Sequence, residues 1–295
     1  MIAHIVAVVL NWNDEYDTAA CLDSLLAQRD VALEILLVDN DSADGSGARL
    51  HARYPALPYL QTGANLGYTG GNNRGIEWAL ARGADAVLII NNDTVTDADC
   101  VRHLADALDA EPRVAGVAPL ITRYDDPSRV WFAGGRLSVA RALGTHDHDN
   151  APVVQLLATL ADPTKLQQCT FLCGCCILMR AEALRDVGVF REDFFAYVED
   201  VELSLRLTHA GWRLGWMPTA RLAHRVPPTG SPDSPFQIRL RDRNRRRMAR
   251  AVYGWRDRLA FALWFWPTRL VHLLRYHLRG DRDRAAALLA GLREP

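Results

Sequence analysis

The sequence predicts an α/β protein, a mostly parallel sheet with helices on both faces, followed by a helical extension. Three observations carry that expectation. The first third alternates short apolar runs with amphipathic stretches, the rhythm of parallel strands joined by crossover helices. Each apolar run ends in short polar residues, the place where such sheets bind ligands. The chain then changes character at its end, where residues 236–295 hold 15 arginines and five acidic residues.

Taken in order, strands are expected over residues 4–10, 34–38, 59–61 and 86–90, with helices over 18–28, 48–54 and 70–82 between them. The stretch 111–170 is less regular, and 144–150, with His146 and His148, reads as a mobile loop of solvated histidines. Regular spacing returns with helices over 181–187 and 200–210, an aromatic run over 190–197, a strand over 213–218, and then Arg221-Leu222-Ala223-His224. Two units follow from the composition: a domain over 1–235 and a basic amphipathic helical extension over 236–295, broken or kinked at Pro267.

At 295 residues, 49% of them hydrophobic and 23% charged, the chain can bury a large core and lacks the polar bias of a disordered one. Its 34 basic and 35 acidic side chains nearly cancel, but the extension leaves 19 basic and 30 acidic groups to the first 235 residues. The apolar start has no basic leader and reads as a first strand rather than a signal peptide. Apolar stretches such as 260–266 are too short to cross a bilayer. These features predict a cytoplasmic protein. Four of the six cysteines crowd into 169–176, where their spacing in an apolar segment suits buried, reduced thiols better than a zinc site.

The residues after the strands are Asn11-Trp12-Asn13, Asp39-Asn40-Asp41-Ser42 and Asn91-Asn92-Asp93-Thr94. Any one of these is ordinary turn or cap chemistry. Three converging on one sheet edge point to a ligand site. Taken with NLGYTGGNNRG, the segment from Gly174 to Arg180 and FFAYVEDVELSLRLTHAGWRLGWMPTARLAH, they give a pattern over roughly residues 4–247. It resembles the family 2 glycosyltransferases of GT-A fold, in particular their rhamnosyltransferase and galactofuranosyltransferase-like branch.

That resemblance implies transfer of a sugar from a nucleoside diphosphate, dTDP-L-rhamnose ahead of UDP-galactofuranose or another UDP-hexose, to a hydroxyl of a glycan or lipid-linked acceptor. Asp39 is placed to accept a hydrogen bond from a uracil or thymine N3–H, with Asn11, Asn65, Asn73 and Asn92 lining the nucleotide site and Gly67 and Gly71 letting backbone approach it. A diphosphate leaving group calls for a hard divalent cation, Mg2+ or Mn2+, held by few protein oxygens. Asn91-Asn92-Asp93 stands where the family has Asp-x-Asp, making Asp93 the carboxylate ligand, Asn91 a neutral one, and His224 the match to the family's second metal position.

Asp200 matches the family's general base at a helix start, where the helix dipole favours a carboxylate; Glu199 and Glu202 are its neighbours in competition. Glu199 and Trp131 are expected on the acceptor side. With a hydroxyl attacking in line, the anomeric centre inverts. Gly188-Val189-Phe190-Arg191-Glu192 departs from the family's Gly-Gly-Phe-Asp-Glu, which leaves the acceptor open. The resemblance also implies a loop near the donor in the Pro-rich stretch after His224, ordering when donor binds.

The arginine-rich extension, interleaved with Trp, Phe and Leu, suits a peripheral position on an anionic membrane face, or packing against the catalytic domain or a second copy in a homodimer. No nucleic-acid motif accompanies the charge. A sugar-phosphate nucleotidylyltransferase would carry a Gly-rich, Arg-bearing loop after the first strand, where this chain has Asn-Trp-Asn-Asp. A non-catalytic nucleotide-sugar-binding or scaffold protein is the remaining alternative.

Overall fold

The computed structural model describes residues 2–226 and 233–295. Strand β1 (Ile5–Asn11), helix α1 (Glu15–Leu26), β2 (Leu33–Asp39), α2 (Ser46–Arg53), β3 (Tyr59–Gln61), α3 (Gly67–Ala81) and β4 (Ala86–Asn91) follow the expected alternation within a few residues. The next elements are β5 (Thr94–Thr96), α4 (Cys100–Ala110), β6 (Val114–Arg123), β7 (Val130–Phe132), β8 (Gly135–Ser138) and β9 (Leu143–His146). Then come α5 (Val153–Thr159), β10 (Gln167–Cys169), β11 (Cys176–Arg180), α6 (Ala181–Val187), α7 (Glu199–His209) and β12 (Arg213–His224). Helices α8 (Pro235–Val252), α9 (Trp255–Leu278) and α10 (Arg282–Arg293) close the chain.

The main sheet runs β10-β12-β6-β11-β4-β1-β2-β3, with β5 added to β12 and β7 to β6. Its N-terminal half, β3-β2-β1-β4, is parallel. Strand β11 is antiparallel to both β4 and β6, and β12 is parallel to β6. Two reversals therefore leave β12 pointing the same way as β4, so the carboxyl ends of β1, β2, β4 and β12 share one edge with the start of β11. Successive residues of a strand face opposite sides of the sheet. In β1 both sets are buried from Ile5 to Val9, so both faces of the sheet are covered.

Two expectations need correcting. Residues 144–150 are no free loop: β9 pairs with β8, and the His146 ring is enclosed by Trp131, Phe132 and Phe171, while His148 is exposed. Burial among rings holds the His146 imidazole below the usual histidine range. Likewise α9 is not broken at Pro267 but continues through it, with Thr268 turning its hydroxyl back onto the Trp264 and Phe265 carbonyls. All six cysteines are free thiols, five of them buried.

The extension begins with a capping box: Gln237 N donates to Ser234 Oγ, and Ser234 N to Gln237 Oε1. Helix α8 then packs on α7 and α10 with most of its arginines turned inward or onto acids. Arg245, 1% exposed, donates to the Arg141 carbonyl and to Asp242, which also takes Arg269. Arg246 donates to the last carbonyls of α10, and Arg239 and Arg243 pair with Glu294. Among the described residues, no helix is long and apolar enough to cross a membrane.

Candidate active site

The shared sheet edge carries a cavity of about 520 Å3, within the range of small-molecule sites. Asn40, Asn65 and Gly67 line one side, Asn91, Asn92 and Asp93 the other, with Trp12, Tyr68, Phe195 and Phe236 as aromatic walls. Gly67 has φ +71°, and a Cβ there would lie 2.4 Å from the Phe195 carbonyl oxygen, so only glycine fits this turn.

Beneath the Asn40 side runs a closed polar chain. Asn92 Nδ2 donates to Thr18 Oγ1 (2.9 Å), Thr18 Oγ1 to Asn11 Oδ1 (2.9 Å), and Asn11 Nδ2 to Asp39 Oδ1 (3.1 Å). Ser42 Oγ reaches the same Asp39 oxygen at 2.5 Å. Register explains the chain, because Asn11 and Asp39 are Cα partners at the ends of β1 and β2. Asp39 is 2% exposed, and its Oδ2 has only 3.4 Å contacts from Ser42 N and Tyr59 OH, leaving that oxygen with spare acceptor capacity. Asn65 braces the loop, accepting from Asn40 and from Gly67 N.

Two nucleotide-site expectations do not survive. The Asn73 amide is committed to Phe190, donating to its carbonyl at 2.8 Å and accepting its N–H at 3.1 Å, so it ties α3 to the segment before α7. Gly71 faces Leu10 and Asn40, where a Cβ would stand 2.5 Å from Leu10, and serves the packing of α3 on β1. Both are framework residues behind the cavity wall.

Across the cavity the arrangement is open. Strand β5 pairs with β12 so that His224 lies opposite Thr94, which brings the ring to Asp93. His224 Nε2 and Asp93 Oδ1 are 3.1 Å apart without the alignment of a hydrogen bond, and Asn91 Oδ1 and His224 Nδ1 are also buried without partners. Neighbouring ligands about 2.1 Å from an octahedral cation stand roughly 3.0 Å apart. The Asp93–His224 separation matches that spacing, so this carboxylate and imidazole fit neighbouring positions on a divalent cation; among the described residues no group of three His, Cys, Asp or Glu side chains could hold one unaided. Arg225 N donates to the Asp93 carbonyl, fixing the turn, and the His224 ring packs edge-on against Trp131 at 4.5 Å.

Asp200 joins this group through the start of β11. Asn91 N donates to the Cys175 carbonyl, and the preceding Gly174 N donates to Asp200 Oδ2 at 3.0 Å, while Tyr68 OH donates to the Gly174 carbonyl at 2.6 Å. Asp93 and Tyr68 line the cavity, while His224 stands beside Asp93 and Asp200 is tied through Gly174 to Tyr68. Burial raises the Asp200 carboxyl above the usual range against the lowering effect of its two backbone donors, Gly174 and Val201. Glu199 is buried with Oε2 unpartnered, and desolvation, reinforced by the Asp200 charge, holds its carboxyl well above the usual range. Glu202 is bound by Arg206 at 2.8 and 2.9 Å, which withdraws it from competition as a base.

The turn that launches α7 is strained. Phe195, Tyr197 and Val198 have φ of +64°, +68° and +73°, a region costly for non-glycine and most of all for β-branched residues. Asn244 of α8 holds it, its Nδ2 lying 2.8–2.9 Å from the carbonyl oxygens of Phe194, Ala196 and Tyr197. The sequence reading missed Asn244, Tyr68, Phe195 and Phe236. A lone asparagine inside an arginine run of a helix, where it is a poor helix former, was the one available signal. The Pro-rich stretch after His224 lies, from 227 to 232, outside the described residues.

A sheet edge with a cavity of that size, a carboxylate–imidazole pair and a helix-opening acid is an arrangement that a nucleotide-sugar transferase can use. The chain belongs to the family 2 glycosyltransferases: the family model described as glycosyl transferase family group 2 matches residues 86–290. It is 33% identical over 226 residues to the N-acetylglucosaminyl-diphospho-decaprenol L-rhamnosyltransferase of Mycobacterium tuberculosis, covering 71% of this chain and 73% of that protein. It is also 32% identical over 235 residues to galactofuranosyltransferase GlfT1 of the same species, covering 78% and 72%.

Among solved structures, GalNAc-T7 with UDP, GalNAc and Mn2+ superposes with a TM-score of 0.65 at 14% identity over 84% of this chain, which spans about half (48%) of that chain. The mannosyltransferase PcManGT from Pyrobaculum calidifontis, in complex with GDP-Man and Mn2+, gives 0.54 at 17% identity over 98% of this chain and 86% of that one. At such identities the likeness is one of fold.

Proposed function

We propose that the chain is an inverting glycosyltransferase. It moves L-rhamnose from dTDP-rhamnose, or a UDP-linked galactofuranose or hexose, to a hydroxyl of a glycan or lipid-linked acceptor. The observation that supports this reading is the Asp93–His224 pair at the cavity wall, with Asp200 tied to the same wall through Gly174 and Tyr68. Asp39 Oδ2, with Asn11 behind it and Asn65 beside it, receives the pyrimidine, and Asn92 and Gly67 line the nucleotide path. Asp93, His224 and Asn91 would hold Mg2+ or Mn2+, which when bound supplies charge neutralisation for the departing diphosphate.

On the acceptor side Trp131 and Glu199 shape the approach, and Asp200 holds the incoming hydroxyl. As the acceptor oxygen bonds to the anomeric carbon, its proton passes to the Asp200 carboxylate and the carbon–oxygen bond to the diphosphate breaks, its electron pair leaving with the diphosphate. A carboxylate raised toward neutrality by burial is a stronger base for that step than an exposed one. Attack from the face opposite the leaving group inverts the configuration. The decaprenol-linked acceptor in the name of the Mycobacterium tuberculosis relative supports a lipid-linked acceptor here, and hence work at the cytoplasmic face of the membrane as a peripheral protein.

The test is a panel of dTDP- and UDP-sugars scored for thermal stabilisation with and without Mn2+, followed by transfer to a short polyprenyl-diphosphate sugar acceptor. One donor should stabilise the protein only with metal, and the product should carry the inverted anomer. Stabilisation without hydrolysis or transfer to any acceptor would leave a binding protein instead. Retention of configuration would exclude Asp200 as a base acting on the acceptor.

A further inference from the structure

The charge of the extension is not spread as its composition suggests. In α8, Arg239, Arg241, Arg243, Arg245, Arg246 and Arg247 are all engaged with carboxylates or carbonyls of the same chain. Helix α9 is built the other way. Its buried residues Phe261 and Phe265 face the Arg245 side chain, while Trp255, Leu259, Leu263, Trp266, Leu270, Leu274 and Leu278 are exposed at spacings of three and four. Leu263 and Leu270 are 70% and 69% exposed.

Residues at such spacings lie on one side of a helix, here drifting slowly round it over about 36 Å of length. Scattered exposed leucines are ordinary on a protein surface, but seven large apolar side chains in one stripe are not. The only acidic residue in α9 is Asp257, and the stripe is flanked by exposed Arg256, Arg275 and Arg279.

We propose that α9 is the membrane-docking element. It lies flat in the headgroup layer of an anionic bilayer, its leucines and two tryptophans reaching the acyl boundary and the exposed Arg256, Arg275 and Arg279 meeting lipid phosphates. Charge selects this occupant over a second copy of the chain. Pairing two α9 stripes would bring arginines toward arginines with no exposed acid on the helix to answer them, whereas an anionic lipid surface complements both parts. Tryptophan at a membrane–water boundary gains from an apolar body with a polar edge. The proposal narrows the peripheral-membrane reading above to one helix, because six of the seven arginines of α8 are engaged within the chain and the seventh, Arg250, is exposed. Vesicle binding needs neither donor nor acceptor, so it can fail while the transfer reaction stands.

The experiment is flotation of the full chain with vesicles of phosphatidylcholine alone or with about one-third phosphatidylglycerol, beside sedimentation velocity without lipid. The parent should float with the anionic vesicles and bind neutral ones on the order of 10²-fold more weakly. Leu263→Glu/Leu270→Glu should lose binding to both while keeping the parent's melting temperature, since neither leucine packs inside. Arg256→Gln/Arg275→Gln/Arg279→Gln should lose the anionic preference by on the order of 10²-fold, at about fivefold per arginine near such a surface.

Should the leucine pair unsettle the fold, Leu263→Gln/Leu270→Gln gives the same reading with less charge. The proposal is overturned if the parent stays unbound with anionic vesicles, or if the leucine variants float as the parent does. A dimer that the leucine variants dissolve, without vesicle binding, would assign the stripe to a second copy instead.

Discussion

Asn11 and Asp39, at the ends of β1 and β2, are joined to Thr18 of α1 and to Ser42 by a set of short hydrogen bonds. Across the same cavity, Asn91 Oδ1, Asp93 Oδ1, His224 Nδ1 and Glu199 Oε2 are buried without a hydrogen-bond partner. Both regions are polar, and both sit at carboxyl ends or loops of one sheet edge. A buried polar atom left unpaired costs about 1–3 kcal/mol, so a cluster of four is expensive as scaffolding. Pre-made hydrogen bonds hold a shape before the donor arrives. Unmade ones keep coordination and proton-transfer capacity for it. On the function proposed above, the difference separates residues that build the site from residues that react in it.

The largest effect expected from breaking this division lies on the unpaired side. Asp200→Asn keeps the size of the side chain and can still accept from Gly174 N, but it cannot take a proton. Transfer should fall by about 10²–10⁴-fold while metal-dependent donor binding persists, read by single-turnover assay and thermal shift. Near-parental turnover would remove Asp200 from the chemistry. Asp93→Ala comes next: donor binding in Mn2+ should weaken by on the order of 10–100-fold, with little loss of stability, because the carboxylate makes no aligned hydrogen bond to lose. Metal-independent binding equal to the parent's would sink the cation reading.

On the paired side the sign reverses. Thr18→Val removes the hydroxyl linking Asn92 to Asn11 and leaves an amide N–H and an amide oxygen without partners. Stability should drop by about 1–3 kcal/mol in urea unfolding, with chemistry in the bound complex barely changed. A variant as stable as the parent but inactive would place Thr18 among the reacting groups and erase the distinction between the two regions.

Much of this edge was legible beforehand because its cause is local: an apolar run ending in Asn or Asp announces both a strand and what its end presents. The parallel half and the candidates Asp39, Asp93, Asp200 and His224 follow from that pattern and from the family resemblance. What was hidden depends on packing between distant segments. Asn73 reads as one more polar residue of a glycine-rich stretch, yet Phe190, far along the chain, takes both ends of its amide. His146 sits in a polar-looking loop sequence that aromatic rings from two other segments enclose. The extension looked separable at 236, but Phe236 lines the cavity and Asn244 braces the turn before Asp200. Composition records an arginine run and gives no sign of which way each arginine faces.

The smallest expected effect tests whether the unpaired side carries a cost in the resting protein. Glu199 is held well above its ordinary value of 4.5, chiefly by burial and then by the neighbouring Asp200 charge. A folded state that keeps a proton which the unfolded chain releases loses stability as pH rises above that ordinary value, and the loss levels off once the folded group also ionises. Glu199→Gln abolishes the ionisation with little change in shape. The variant should therefore match the parent at acid pH and melt above it at neutral pH, the gap opening as pH climbs through the ordinary carboxylate range. Calorimetric melting temperatures across pH would decide the point. If the two curves run parallel, Glu199 imposes no ionisation cost on folding, and its unpaired oxygen must be served by a contact that the folded chain alone does not supply.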